Sequence, residues 1–347
     1  MFESFGFETL TAPQAVVYFA LALGALFGVF AEQTRFCFRR ALIGTDRRAA
    51  MGVWLTALAF ALVGTQAAVA MEWISFGDHR FMAADLPLLA ILAGGLLFGA
   101  GMVLTRGCAS RLTVLAGSGN LRAFTVLAVF AVVAHATLKG VLAPVRTTLS
   151  APTLALDSAA LPGNPLIWTA LLGTAALAFA FRSGNRPVTL ILAAALGLLV
   201  PLGWVGTGFV LFDDFDPIVM ESLSFTSTWS ETLFYTVAAT SIPAGFGAGL
   251  IGGVLLGALA SSLAARRFEW QSFSTPAQTG RYLAGAVLMG IGGVLAGGCT
   301  VGAGLSGIPT LSIAALLTLA SIAAGALATN AALSRKAQGT LTAVPAE

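Results

Sequence analysis

Charge is what this sequence has least of. Only 10% of its 347 residues are Asp, Glu, Lys or Arg, against 57% hydrophobic, and mean hydropathy is +0.90. A water-facing domain carries roughly 25% charged residues, so most of this surface is expected to meet a lipid bilayer. Spanning segments in lipid must satisfy their own backbone hydrogen bonds. The apolar runs are continuous rather than alternating, which favours helices over a barrel. Histidine and cysteine are also scarce. His79 and His135 stand far from Cys37, Cys108 and Cys299, and no two cysteines share a CxxC spacing. That argues against a zinc site and a disulfide framework. No cofactor and no nucleic-acid partner is expected. ATP-binding motifs, enzyme triads and Asp/Glu-rich spans are absent too. Met1 to Thr9 holds Glu3 and Glu8 but no basic residue. A cleavable signal needs a basic start, so the run from Ala12 to Ala31 is expected to be a retained first span.

What is present is a series of apolar segments at spanning length, about 20 residues each. They cover about 13–32, 47–70, 86–105, 122–143, 166–181, 188–210, 232–264 with a possible break at Pro243, 281–297 and 310–333. The expected fold is an all-α polytopic membrane protein. It has about eight to ten transmembrane helices, pseudo-symmetric internal repeats and Gly-rich broken or re-entrant helices. One transmembrane domain fills 1–347. Repeat half one covers about 12–143, connecting spans about 144–230, and repeat half two about 231–335, before a disordered tail at 337–347. Thr228 and Glu231 stand at capping-box spacing.

The repeat is visible by direct alignment. At an offset of 191, Gly94, Gly99, Gly101, Val103, Leu104, Gly107 and Cys108 fall on Gly285, Gly290, Gly292, Val294, Leu295, Gly298 and Cys299. At an offset of 71, Gly24, Leu26, Phe27, Gly28, Thr34, Arg35, Cys37 and Arg40 fall on Gly95, Leu97, Phe98, Gly99, Thr105, Arg106, Cys108 and Arg111. A weaker copy at Gly253 to Gly257 lacks the cysteine. Each cysteine therefore sits where a Gly-rich apolar helix breaks. Transporter sites lie at repeat interfaces where helices are interrupted, although glycines also serve close helix packing on their own.

Three segments carry the chemistry: Thr34 to Arg40, Thr105 to Arg111, and Gly297 to Gly307. If a new half-helix starts just after each cysteine, its free N–H groups face the thiol and make an anion site. A neutral thiol is a weak S–H donor, suited to a soft acceptor, while Arg suits hard oxygens. Thiols in series would hand such an ion onward, provided each holds it weakly. The candidate binding residues are Cys37, Cys108, Cys299, Arg35, Arg106, Arg111, Gly107, Gly298 and Thr300. Other readings stand beside this one. A lone cysteine is usually a small buried apolar residue. Arg39, Arg40, Arg47, Arg48, Arg266 and Arg267 also suit topology signals. His135 and Lys139 share one helix face, although Lys139 is placed to snorkel.

At these residues the chain resembles the YeeE/YedE family of sulfur-transport membrane proteins. The likeness rests on TRFCFRRAL (34–42), LTRGCASRL (104–112), GGCTVGAGLSG (297–307) and ESLSFTSTWSETLFY (221–235). It implies an all-helical fold with pseudo-symmetric halves and uptake of thiosulfate across a bacterial inner membrane, along a path lined by the three cysteines. It also implies a TusA-like soluble sulfur carrier as partner. Other expectations stay open. One is a membrane sulfurtransferase forming a cysteine persulfide, and another is a carrier of a related sulfur or selenium compound. A structural subunit without transport is the third.

Overall fold

The computed structural model describes residues 10–213 and 215–342. Its helices are α1 (Ala12–Thr34), α2 (Phe38–Ile43), α3 (Arg47–Ala70), α4 (Leu88–Leu104), α5 (Ala109–Gly117), α6 (Leu121–Lys139) and α7 (Ala143–Ser150). They continue with α8 (Pro165–Phe181), α9 (Pro187–Val205), α10 (Ser227–Ala238), α11 (Phe246–Ala264), α12 (Pro276–Leu295) and α13 (Ile313–Thr342). Wide helical turns follow α9 at Gly206–Val210 and precede α13 at Thr300–Gly307. Two-residue strands, Asp85–Leu86 and Leu154–Ala155, pair antiparallel. Among the described residues eight helical segments are long and apolar enough to cross a membrane, and α8 is a shorter apolar helix. The chain is an all-α polytopic membrane protein.

The spans fall near their expected places, with two differences. The long segment at 232–264 divides around Pro243, the expected place for a break, into α10 and α11, because Pro243 lacks the N–H a continuous helix needs. Helix α13 runs through Thr342, into the region expected as tail, and 343–347 lie outside the described residues, as do Met1 to Thr9. The capping box is not formed. Helix α10 begins at Ser227, and the Thr228 hydroxyl donates to Ser224 O at 2.7 Å instead.

Glycine sets the packing. A Cβ added to Gly24 or Gly28 on α1 would lie 2.2 or 2.4 Å from a carbonyl oxygen of α11, and one on Gly257 would lie 2.0 Å from Ala25 O. Helix α4 meets α13 through Gly95, Gly99 and Gly325, and meets α12 through Gly94, Gly101 and Gly292, with similar clearances. Backbones approach this closely only where side chains are missing. The fit draws three Gly-rich helices, α1, α4 and α12, into one interior, where Phe27, Phe98, Phe130 and Phe225 are fully buried.

The arginines collect on one face of this bundle. Arg40 pairs with Asp46, and Arg267 with Glu32 at 2.8 Å. Arg122 donates to Gln271 at 2.8 Å, and Arg39 lies in the field of Arg106 and Arg281. Asn185, between Arg182 and Arg186, donates to Ala49 O beside Arg47 and Arg48 at 2.8 Å. The Arg40 guanidinium holds the Asp46 carboxyl below its usual range. Among the described residues the opposite face carries few cations: Arg80, Lys139 and Arg146.

Candidate thiol pathway and its two cavities

The three repeat units end alike. Arg35, Arg106 and Gly297 occupy the left-handed region, with φ of 53°, 61° and 73°, and each closes the helix before it. This is the usual C-terminal stop, most at ease with glycine. Two residues later Cys37, Cys108 and Cys299 each stand in extended backbone and open a new helical segment: α2, α5 and the turn at Thr300–Gly307. The expected restart after every cysteine is therefore present. Cys299 Sγ accepts from Gly302 N–H at 3.3 Å. The equivalent amides of Arg40 and Arg111 face Cys37 and Cys108 without closing a cap hydrogen bond.

Although 71 and 191 residues separate them in pairs, the thiols converge. Cys37 and Cys108 lie close enough to act on each other electrostatically, and Cys299 lies in the field of Cys108. Cys108 Sγ is 3.3 Å from Ser110 Oγ and also within reach of the Thr300 hydroxyl. Phe225 presents its backbone to Cys299. All three are free thiols, exposed by 7%, 1% and 0% in chain order, so none is open to bulk water. Beside them the Thr226 and Thr300 hydroxyls are buried without a hydrogen bond to the described residues. Buried polar groups are normally satisfied, and an anion passing this way would find both donors unused.

Cavities adjoin the cluster on both sides. On the arginine-rich face a basin of about 280 Å³ is lined by Arg35, Arg111, Glu32, Arg267, Asn120 and Gln271, among others. Among the described residues Arg111 makes no ion pair or hydrogen bond through its side chain, and its charge reaches Cys37 and Cys108. On the other face a vestibule of about 330 Å³ is lined by His79, Arg80, Glu221, Glu231, Gly302 and Ser306, with neighbouring Ser and Thr residues. Gly302 and Ser306 belong to the turn that Cys299 opens. A smaller cavity joins Arg80 to Gly297 and Gly298.

The structure thus brings together Cys37, Cys108, Cys299, Arg111 and Thr300. Gly107 and Gly298 form the turns just before their cysteines. A Cβ on Gly298 would lie 3.0 Å from Ala303 N, so that turn has little room for a side chain. Arg35 stands at the rim of the basin. Arg106 is exposed and shares the outer face with Arg39 and Arg281. Sequence reasoning misses Arg80, Glu221 and Glu231. None lies in a cysteine motif, and Glu231 reads there as a cap residue. A usable signal exists: Arg80 is an arginine in a stretch, 71–87, far from the other basic loops.

The loop holding Glu221 is tightly tied. Its N–H donates to Thr207 Oγ1 at 2.9 Å, and Thr207 Oγ1 lies 2.8 Å from Glu221 O. Ser306 donates to Leu223 O at 2.7 Å, and Ser222 to Val200 O at 2.8 Å. Trp229 Nε1 donates to Thr113 Oγ1 at 2.8 Å, tying α10 to α5. Burial and the neighbouring Glu231 push the Glu221 carboxyl up to about 7, and burial raises Glu231 as well. Burial, with Arg80 beside it, lowers His79 to about 4, so that ring is neutral at physiological pH.

Comparison with known proteins agrees with this architecture. A thiosulfate transporter of Spirochaeta thermophila, TsuA, is 27% identical over 327 residues, covering 87% of this chain and 94% of its own. The Escherichia coli K12 thiosulfate transporter TsuA is 26% identical over 324 residues, covering 84% of this chain and 87% of its own. The family described as "Sulphur transport" matches residues 33–328, a stretch that contains all three thiols and both cavities apart from Glu32 at the basin's edge. With most of its length matched, this chain belongs to the sulphur transport family.

Proposed function

We propose that this chain is a permease for thiosulfate uptake through a bacterial inner membrane, passing the dianion along the thiols of Cys37, Cys108 and Cys299. The observation that carries the reading is the convergence of three cysteines, from three copies of one repeat, between two cavities that each hold an arginine without an ion pair among the described residues. Thiosulfate has a soft terminal sulfur and hard oxygens. The thiols, as weak S–H donors, suit the sulfur, while Arg111, Thr300 and the amides that follow each cysteine suit the oxygens. Gly107 and Gly298 shape the turns that aim those amides. Arg35 and Arg106 act first as helix stops, with Arg35 adding charge at the basin rim. The relatives' names, TsuA, support the substrate.

Loop arginines favour the cytoplasmic side. Arg47, Arg48, Arg182, Arg186 and Arg266 put the basin inside and the vestibule outside. A TusA-like carrier would then receive sulfur on the arginine-rich face. Orientation is checked by labelling in intact cells. Single cysteines placed at Ser158 and at Ser274, in a variant lacking native cysteines, should react with an impermeant maleimide only at Ser158. The reverse pattern would invert the assignment.

The function is tested with labelled thiosulfate and proteoliposomes. Vesicles holding the wild type should accumulate label well above protein-free vesicles. Equal accumulation by folded wild type and empty vesicles would remove the proposal.

A further inference from the structure

The vestibule holds more than an arginine. Among the described residues Arg80 has no hydrogen bond or ion pair through its side chain, yet Glu221 and Glu231 both lie within its field. The two carboxylates also influence each other. Their placement is enforced. Thr207 holds the Glu221 backbone at both its N–H and its C=O, and Gly247 leaves room for Glu231, since a Cβ there would lie 2.6 Å from Oε2. An entry chamber for a dianion is thus lined by two groups that repel it when ionised and admit it when protonated.

We propose that Glu221 and Glu231 form a protonatable gate to the Arg80 site, so that a small dianion entering the vestibule is accompanied by uptake of a proton on this carboxylate pair. The inference rests on the transport reading above. The chemistry is a simple protonation: a proton from the outer solution adds to a carboxylate oxygen and no other bond changes. With the pair ionised, two negative charges outweigh Arg80 and oppose the incoming dianion. With a proton on the pair, one of those charges is gone, Arg80 is freed to meet the ion, and the neutral carboxyl can donate to one of its oxygens.

Other titratable and charged groups face the pair from the neighbouring elements. His79 titrates near 4, well below the relevant range. Asp78, on the same loop, lines the chamber. From α6, Lys139 attracts Glu231, while His135 is engaged with Ser230 at 3.0 Å and stacked on Phe234. From the turn after α12, Cys299 faces Arg80. Helix α11 brings no charged side chain within Phe246–Ala264.

The sign follows from linkage. Glu221, raised to about 7 beside Glu231, is protonated below that pH, where the dianion binds, and ionised above it, where binding weakens. The two steps belong to the pair rather than to either residue. With one required proton at this midpoint, the KM for thiosulfate should rise about ten-fold between external pH 6 and 8. Thiosulfate itself remains a dianion throughout. The double variant E221Q/E231Q, which removes both charges, should show a flat KM at or below the wild-type value at pH 6. A second measurement needs no variant: adding thiosulfate to weakly buffered, detergent-solubilised wild type at pH 7 should draw protons from solution.

A wild-type KM that changes less than two-fold across this range, with no proton uptake on binding, would overturn the gate and leave the permease intact. A wild-type pH slope retained in E221Q/E231Q would overturn it equally. Absence of thiosulfate uptake at every pH would remove the permease reading and the gate together.

Discussion

Replacing Cys108 by alanine should reduce thiosulfate uptake by about ten- to a hundred-fold. Cys108 is the thiol common to both neighbours: it lies in the fields of Cys37 and Cys299, and its Sγ is 3.3 Å from Ser110 Oγ. Truncation removes the S–H at the middle of the cluster and little else. A hydrogen bond to a charged acceptor contributes about 1.5–3 kcal/mol, which converts to roughly that range of rates or affinities. The protein should still fold, because alanine fits wherever the smaller part of a buried cysteine fits. Uptake by Cys108→Ala in proteoliposomes, normalised to correctly inserted protein, reads the effect. Cys108→Ser separates two contributions. It keeps a donor but offers a harder, shorter hydroxyl, so its uptake should fall between wild type and alanine. Wild-type rates in Cys108→Ala would show that this thiol is only packing.

The second large effect is on assembly. Gly257→Val should prevent the protein from being recovered folded. The Cβ alone would sit 2.0 Å from Ala25 O, and that obstacle is backbone, which has no rotamer to change. Overpacking in a tight core costs about 1–3 kcal/mol where side chains can adjust, and more is expected here. Gly252→Ala on the same helix is the comparison, since nothing lies within 4 Å of its Cβ position. Size-exclusion profiles and thermal midpoints in detergent distinguish them. Gly252→Ala should match wild type, while Gly257→Val aggregates or melts much earlier. Equal profiles would mean that α1 and α11 are not held at this distance.

The parts of the molecule differ in how openly the sequence shows them. The helices are legible because lipid demands long apolar runs, and the breaks because glycine and cysteine recur at fixed offsets. The restart after each cysteine is less openly written, because Thr34 to Arg40 has no glycine and only the likeness between the copies ties it to the Gly-rich break at 297–307. The arginines are harder to read. Arg35 and Arg106 look like ligands beside a cysteine, yet their first task is the left-handed stop that Gly297 performs in the third copy. Arg111, one helical turn beyond Cys108, is the one of the three that directs its charge at the thiols of both Cys37 and Cys108. The vestibule is illegible for another reason. Arg80, Glu221 and Glu231 come from two loops and a short helix with no shared spacing, and only the folded chain sets them around one cavity. Thr228 and Glu231 satisfy a local capping rule, but tertiary packing uses both differently.

Any cationic site would accept the oxygens of thiosulfate, so the proposed path differs from one only if its thiols read the soft sulfur. Competition tests this most directly. Labelled thiosulfate uptake by wild-type proteoliposomes should be nearly unchanged by a large molar excess of sulfate, which has oxygens of the same kind and no terminal sulfur. Near-complete inhibition by that excess would mean the path recognises only charge and oxygen, and would contradict recognition by the thiols.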